Sequence, residues 1–183
     1  MTTIVDEIFG LFARFGGGHY GEDLSLERHM LQSAAQARAL GAPDAVVVAA
    51  LLHDIGYFLH PDSAASIVEG RNIGHEALGA AWLSQAFGSD VTAPIALHVE
   101  AKRYLCAVEP DYVDRLSDAS RLSLATQGGV MRAGEAAEFA RGEGAAAAIL
   151  LRRCDDDGKD ASTATPPLEA YRDVLTAALR PQH

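Results

Sequence analysis

Residues 46–56 read Val46-Val47-Val48-Ala49-Ala50-Leu51-Leu52-His53-Asp54-Ile55-Gly56, an apolar run that ends in a histidine and a carboxylate. Three valines in a row suit a strand, but the run through Ala49-Ala50-Leu51-Leu52 outlasts most strands, so one helix over 46–59 is expected. A charge delivered at the end of a buried stripe needs an ionic partner or a metal. Metal is the better reading, because other ligand-type residues flank the pair: His29 before it, and His75, His98 and Asp155 after it. Two metal ions held among helices would account for all six residues, His29, His53, Asp54, His75, His98 and Asp155. Imidazoles and carboxylates without thiolates suit iron, zinc, manganese or nickel and exclude a sulfur cluster. Neighbouring helical residues point about 100° apart, so His53 and Asp54 cannot both face one ion squarely from a straight helix. A carboxylate beside a histidine can instead bridge, one oxygen to each ion. Gly56 would permit a neighbouring backbone to come close.

Working outward, nearly everything reads as helix. Segments at 3–15, 25–40, 46–59, 74–87, 90–105, 110–126, 134–141, 145–153 and 168–179 carry helical patterning. Gly16-Gly17-Gly18 breaks the first, and Gly41 stops the second before Pro43-Asp44 restarts the chain. Residues 60–73 read as a loop over a pocket, and 155–167 as an Asp/Gly/Ser/Thr/Pro-rich connection. The expectation is an all-α bundle with a dinuclear site between its helices. The organisation expected is a single domain over 1–183, with 1–18 an N-terminal helix and glycine linker and 156–183 a C-terminal loop and helix.

Composition narrows the function. The net charge of −10 argues against nucleic acid. The chain has no apolar run long enough for a bilayer, no signal-peptide layout at Met1-Thr2-Thr3-Ile4-Val5-Asp6-Glu7, and only Cys106 and Cys154 as thiols. A cytoplasmic enzyme without a membrane or obligate protein partner is expected. Lysine occurs only at positions 102 and 159, so the placement of each is informative.

The pattern His29…His53-Asp54…Asp resembles the HD-domain superfamily, all-helical metal-dependent proteins that are mostly phosphohydrolases. Leu51-Leu52-His53-Asp54-Ile55-Gly56, His98-Val99-Glu100-Ala101-Lys102-Arg103-Tyr104-Leu105, Leu116-Ser117-Asp118-Ala119-Ser120-Arg121 and Gln127-Gly128-Gly129 resemble one branch, the mixed-valent diiron oxygenases that cleave organophosphonates. The resemblance runs from about Tyr20 to Lys159. It implies two irons, Fe(II)/Fe(III), on His29, His53, bridging Asp54, His75, His98 and Asp155, with dioxygen as co-substrate. Asp118 is the rival for the last carboxylate; Arg152-Arg153-Cys154-Asp155 followed by Gly158-Lys159 favours Asp155.

The same resemblance implies phosphonate contacts from Lys102, Ser120, Ser123 and Arg152. Lys102 stands four residues after His98, on the same helix face, and Ser120 and Ser123 share a face at i, i+3. Arg152, three residues before Asp155, can offer a charge-assisted fork. At the other end of the substrate, Tyr57 stands where relatives often carry histidine or lysine. Gly21-Glu22 matches an amine-sensing segment whose tyrosine can occupy iron when substrate is absent; here Tyr20 is offset by one and His19 takes that place. Glu22 could face a positive charge, and Tyr20, Tyr57, Phe58, Trp82 and Tyr104 could supply aromatic faces for a quaternary ammonium. The implied reaction is oxidative cleavage of the C–P bond of a 1-hydroxy-2-(trimethylammonio or amino)ethylphosphonate, giving glycine betaine or glycine and inorganic phosphate. The methylated cation is slightly favoured. A metal-dependent phosphohydrolase acting on a nucleotide or another phosphate ester is the alternative; a non-catalytic sensor and an inositol-type oxygenase fit less well.

Overall fold

The centre of the fold is the apolar run itself. Val46 through Leu52 are all buried in helix α3 (Asp44–Leu52), as expected of a helix that is hydrophobic on every side. In this computed structural model, which describes residues 3–18, 24–60, 63–69 and 71–181, α3 packs against three longer helices: α2 (Leu26–Ala39), α7 (Ser89–Val108) and α11 (Ala145–Asp157). Around these lie α1 (Ile4–Phe15), α4 (Gly56–Leu59), α5 (Ser63–Val68), α6 (His75–Leu83), α8 (Tyr112–Arg115), α9 (Asp118–Thr126), α10 (Ala133–Arg141) and α12 (Arg172–Ala177). No strand forms among the described residues beyond one isolated bridge between Phe87 and Leu179. None of the described helices is long and apolar enough to cross a membrane.

Local signals start the helices where expected. Thr3 and Asp6 form a reciprocal capping box ahead of α1, and the Ser25 hydroxyl accepts from Arg28 N at 3.3 Å to cap α2. On α7 the buried residues Val91, Ile95, His98, Val99, Lys102 and Leu105 recur at helical spacing, so a histidine and a lysine occupy an otherwise apolar stripe. On α11 the buried face is Ala145, Ala148, Leu151, Arg152 and Asp155, with the same anomaly.

Several boundaries differ from expectation, and each for a local reason. The helix expected over 46–59 breaks at His53: Ile55 N bonds Leu52 O at 3.0 Å, and Tyr57 N bonds Asp54 O at 3.0 Å. These i→i+3 bonds tighten the chain and re-aim Asp54. Residues 60–73 are not all loop, since α5 forms within them. The helix expected over 110–126 is interrupted at Leu116, whose extended backbone lets the Ser117 hydroxyl cap α9 by accepting from Ser120 N at 3.3 Å. In place of a helix over 168–179, a 3₁₀ turn (Leu168–Tyr171) leads into α12.

The most consequential difference is that α11 continues past 153 to Asp157. Acidic residues are unfavourable at a helix C-terminus, which is why the sequence suggested an earlier end. Ion pairs offset that cost: Arg152 holds Asp155 at 2.6 Å and also pairs with Asp156, and Lys159 reaches Asp155 at 3.1 Å. Asp155 is therefore a helical residue, on the same face as Arg152.

Candidate metal centre and anion site

The break after Leu52 brings the histidines of four helices to one carboxylate. His29 is delivered by α2, His53 by the end of α3, His75 by the first residue of α6 and His98 by the middle of α7; all are buried. His29 Nε2 and His53 Nε2 lie 3.6 and 3.4 Å from Asp54 Oδ2, while His75 Nε2 and His98 Nε2 lie 3.2 and 3.9 Å from Asp54 Oδ1. Asp155 Oδ1 joins the first group, 3.2 Å from His29 Nε2 and 3.9 Å from His53 Nε2. Two clusters thus share Asp54, one on each of its oxygens.

Close approach of α6 depends on Gly56. A Cβ built there would stand 1.9 Å from the His75 carbonyl oxygen and 2.9 Å from its Cα. Gly158 does the same for α2, where a Cβ would lie 2.5 Å from Ser33 Oγ; its carbonyl accepts from His29 Nδ1 at 2.9 Å.

The chemistry of the donors tests whether metal fits. His29, His53 and His98 place Nδ1 at 2.9, 2.9 and 2.7 Å from the carbonyls of Gly158, Ala50 and Ile95. A carbonyl only accepts, so Nδ1 carries the hydrogen and, in the neutral form of the ring, Nε2 is the ligand atom. Yet His29 Nε2 and His53 Nε2 are 3.2 Å apart. Lone pairs facing each other repel unless a cation lies between them. Asp54 Oδ1 and Asp54 Oδ2 are likewise buried without a hydrogen bond. Ligand atoms about 2.1 Å from one ion lie roughly 3–3.5 Å from one another, the spacing seen on both sides of Asp54. The residues fit a pair of metal ions.

Charge states agree. Burial lowers the proton affinity of His53 and His98 and keeps both rings neutral. Burial opposes ionisation of Asp155, but Arg152 and Lys159 outweigh it and hold the carboxyl well below its usual range.

Beside the Asp155 end stands a cluster of buried cations and hydroxyls. Lys102 Nζ donates to Ser123 Oγ at 2.8 Å, Gln127 Oε1 at 2.6 Å and Ser120 O at 3.4 Å. Burial first, and then Arg152, pushes this ammonium down to about 7. Ser120 Oγ accepts from Arg152 Nη2 at 3.2 Å and Lys159 Nζ at 3.0 Å. With both lone pairs engaged, its own hydrogen is left to donate to an acceptor. The arrangement suits an anion. Arg152 is not the open fork that its sequence position suggested: Nη1 holds Asp155, Nη2 holds Asp156 and Ser120, and Nε reaches Tyr112 OH at 3.4 Å.

Thus the sequence-named residues His29, His53, Asp54, His75, His98, Asp155, Lys102, Ser120, Ser123 and Arg152 converge. Tyr57 also reaches the centre, stacking on His75 with centroids 4.2 Å apart. It lines a cleft of about 30 Å³ with Ser66, Ile67, Arg71, Ala119, Ser123 and Gln127. Asp118 does not converge; its side chain is 98% exposed and pairs with Arg121. Phe58 packs on Phe12 and Phe15, Tyr104 on Phe139, and Trp82 against the main core, so these three serve packing rather than an aromatic cage. His19, Tyr20 and Glu22 lie outside the described residues. Sequence reasoning missed Glu76, Tyr112, Gln127, Asp156 and Lys159 as parts of the site. Lys159 was findable: it is one of two lysines and stands four residues after Asp155.

Comparison with known proteins agrees with this geometry. The HD domain matches residues 26–124, a span holding every histidine of the centre but ending before Asp155. The chain is 44% identical over 165 residues to the [1-hydroxy-2-(trimethylamino)ethyl]phosphonate dioxygenase (glycine-betaine-forming) of Leisingera caerulea, covering 90% of this chain and 84% of that one. It is 40% identical over 178 residues to the hydroxymethylphosphonate dioxygenase of Gimesia maris, covering 96% and 88% respectively. An uncharacterised protein of Acanthamoeba polyphaga mimivirus is 33% identical over 174 residues, covering 93% of this chain and 80% of that protein. This chain belongs to the HD-domain family, on the branch that includes these phosphonate dioxygenases.

Proposed function

We propose that this protein is a non-heme diiron oxygenase that uses dioxygen to cleave the C–P bond of a 1-hydroxyalkylphosphonate. The expected substrate is 1-hydroxy-2-(trimethylammonio)ethylphosphonate or its free-amine analogue, and the products are glycine betaine or glycine and inorganic phosphate. One observation carries the reading: a two-sided histidine cluster around Asp54 adjoins a buried cation and hydroxyl cluster made for an anion. The relatives' names support the substrate class.

His29, His53, Asp155 and Asp54 Oδ2 would hold one iron, and His75, His98 and Asp54 Oδ1 the other. Bound as an Fe(II)/Fe(III) pair, the irons would supply dioxygen activation and the electrons that side chains cannot. The chain's own residues bind and orient. Lys102, Ser120 and Ser123 would take the phosphonate oxygens, and an anion beside Lys102 would favour its protonated form. Arg152 and Lys159 fix Asp155 and Ser120, so the anion site and the metal ligand keep one spacing. Tyr57 would bound the site beside C2, with Tyr20 and Glu22 as candidates for the substrate's cationic end. The low exposure of the cluster excludes bulk water. Overall, a 1-hydroxyalkylphosphonate dianion and dioxygen give a carboxylate, hydrogen phosphate and a proton, the two added oxygens balancing the two in dioxygen.

The test is phosphate release by iron-loaded protein from the trimethylammonio, amino and unsubstituted hydroxymethyl phosphonates, with and without dioxygen. Oxygen-dependent release is expected, and the fastest substrate identifies the group at C2. Oxygen-independent hydrolysis of a phosphate ester, with no phosphonate turned over, would leave a phosphohydrolase.

A further inference from the structure

The four histidines differ on the side turned away from the cluster. Three of them, His29, His53 and His98, direct Nδ1 to a neutral backbone carbonyl. His75 has a carboxylate instead: Glu76 Oε2 lies 3.3 Å from its Nδ1. Both atoms are buried and neither has a hydrogen bond, so a small side-chain rotation satisfies the two together. Glu76 stands in the first turn of α6, where an acid ordinarily faces water and complements the helix N-terminus. Here the side chain is only 13% exposed. Its charge also contributes to holding the Tyr57 hydroxyl protonated, after burial and Asp54.

We propose that Glu76 is a positioning residue for the metal pair, taking the Nδ1 hydrogen of His75 and strengthening this one ring as a ligand. The inference rests on the two-metal reading of the site. A carboxylate behind an imidazole fixes its tautomer and raises its basicity, and such outer partners are typically worth 10–100-fold in metal affinity. The two metal positions are then unequal by construction. On the Asp155 side, two cations, Arg152 and Lys159, draw on the ligand carboxylate. On the His75 side, a negative charge stands behind the ring.

The test is titration of metal-free protein with Co(II), followed by absorbance and calorimetry, on wild type, Glu76→Gln and Glu76→Asp. Wild type binds two ions. Glu76→Gln, which keeps the shape and an acceptor but loses the charge, binds one ion as wild type does and the other about 10–100-fold more weakly. Glu76→Asp, with its carboxylate withdrawn by one methylene, gives an intermediate affinity and carries the test if the Gln variant does not fold. In the iron-loaded Gln variant the midpoint potential rises, which a merely structural role would not produce. Wild-type affinity for both ions in either variant, or equal weakening of both, overturns the role of Glu76. A wild type that binds fewer than two ions overturns the two-metal reading itself.

Discussion

Replacing Gly56 by alanine should separate α6 from the turn that carries Asp54. The added Cβ would meet the His75 carbonyl oxygen at 1.9 Å, where ordinary contact needs at least 3.4 Å, and the clashing atom is backbone. About 1.5 Å of retreat must come from α6 or from the 53–56 turn, and both carry ligands. Overpacking of this kind costs about 1–3 kcal/mol, and more where backbone must move. Taking about 3 kcal/mol, and 2–4 °C per kcal/mol for a domain of this size, the expected fall in Tm is about 6–12 °C. Metal binding should suffer more sharply, because ligand distances tolerate only about 0.2 Å. The assay is thermal denaturation with metal counting on the same samples, and Gly10→Ala is the control. Gly10 lies in α1, and a methyl group added there would have nothing within 4 Å, so that change should be neutral or stabilise by up to about 1 kcal/mol. A Gly56→Ala protein that keeps two ions and its wild-type Tm would refute the packing argument.

Lys102 makes a pH-dependent prediction. Its ammonium is pushed down to about 7, chiefly by burial and then by Arg152, against the ordinary 10.5 of the unfolded chain. Between those values the unfolded chain binds the extra proton, so the Lys102 contribution to stability rises with pH across that window, and Lys102→Met removes this rise. At pH 8 inorganic phosphate should bind with proton uptake, read as buffer-dependent heat; the uptake should vanish at pH 6 and in Lys102→Met. Asp155→Asn leaves Arg152 and Lys159 short of a buried partner and should cost about 3–5 kcal/mol and a metal ion. Asp118→Asn, at an exposed site, should change stability by less than about 0.5 kcal/mol and leave the metal count intact. Chelation should lower the Tm of wild type, by about 4 kcal/mol equivalent where metal stands at a thousandfold its Kd, and should leave Asp54→Asn unmoved.

Much of this was legible in the chain because the signals were local or compositional. The α3 run, the glycine stop at Gly41 and the i+4 spacing of His98 and Lys102 each act within a few residues. Gly56 was readable as a point of close approach, though not that His75 was the residue approaching. What escaped the sequence depended on contacts across the fold. A helical pattern over 46–59 does not reveal that the chain tightens at His53, since that turn is stabilised by where Asp54 must point. The acidic tail of α11 reads as a stop until Arg152 and Lys159 are seen holding it in register. The partners that occupy Arg152, namely Tyr112 from α8 and Asp156 one turn along, could not be paired without the structure. Phe58, Trp82 and Tyr104 show the converse: aromatics near a ligand in sequence are claimed by the core.

That dioxygen, not water, cleaves the substrate is the central claim, and isotope labelling addresses it directly. Iron-loaded protein would turn over the preferred 1-hydroxyalkylphosphonate under ¹⁸O₂, with mass analysis of the carboxylate and the phosphate. One ¹⁸O in the carboxylate is expected, with no product formed without dioxygen. Phosphate formed anaerobically, or a product labelled only from H₂¹⁸O, would contradict it.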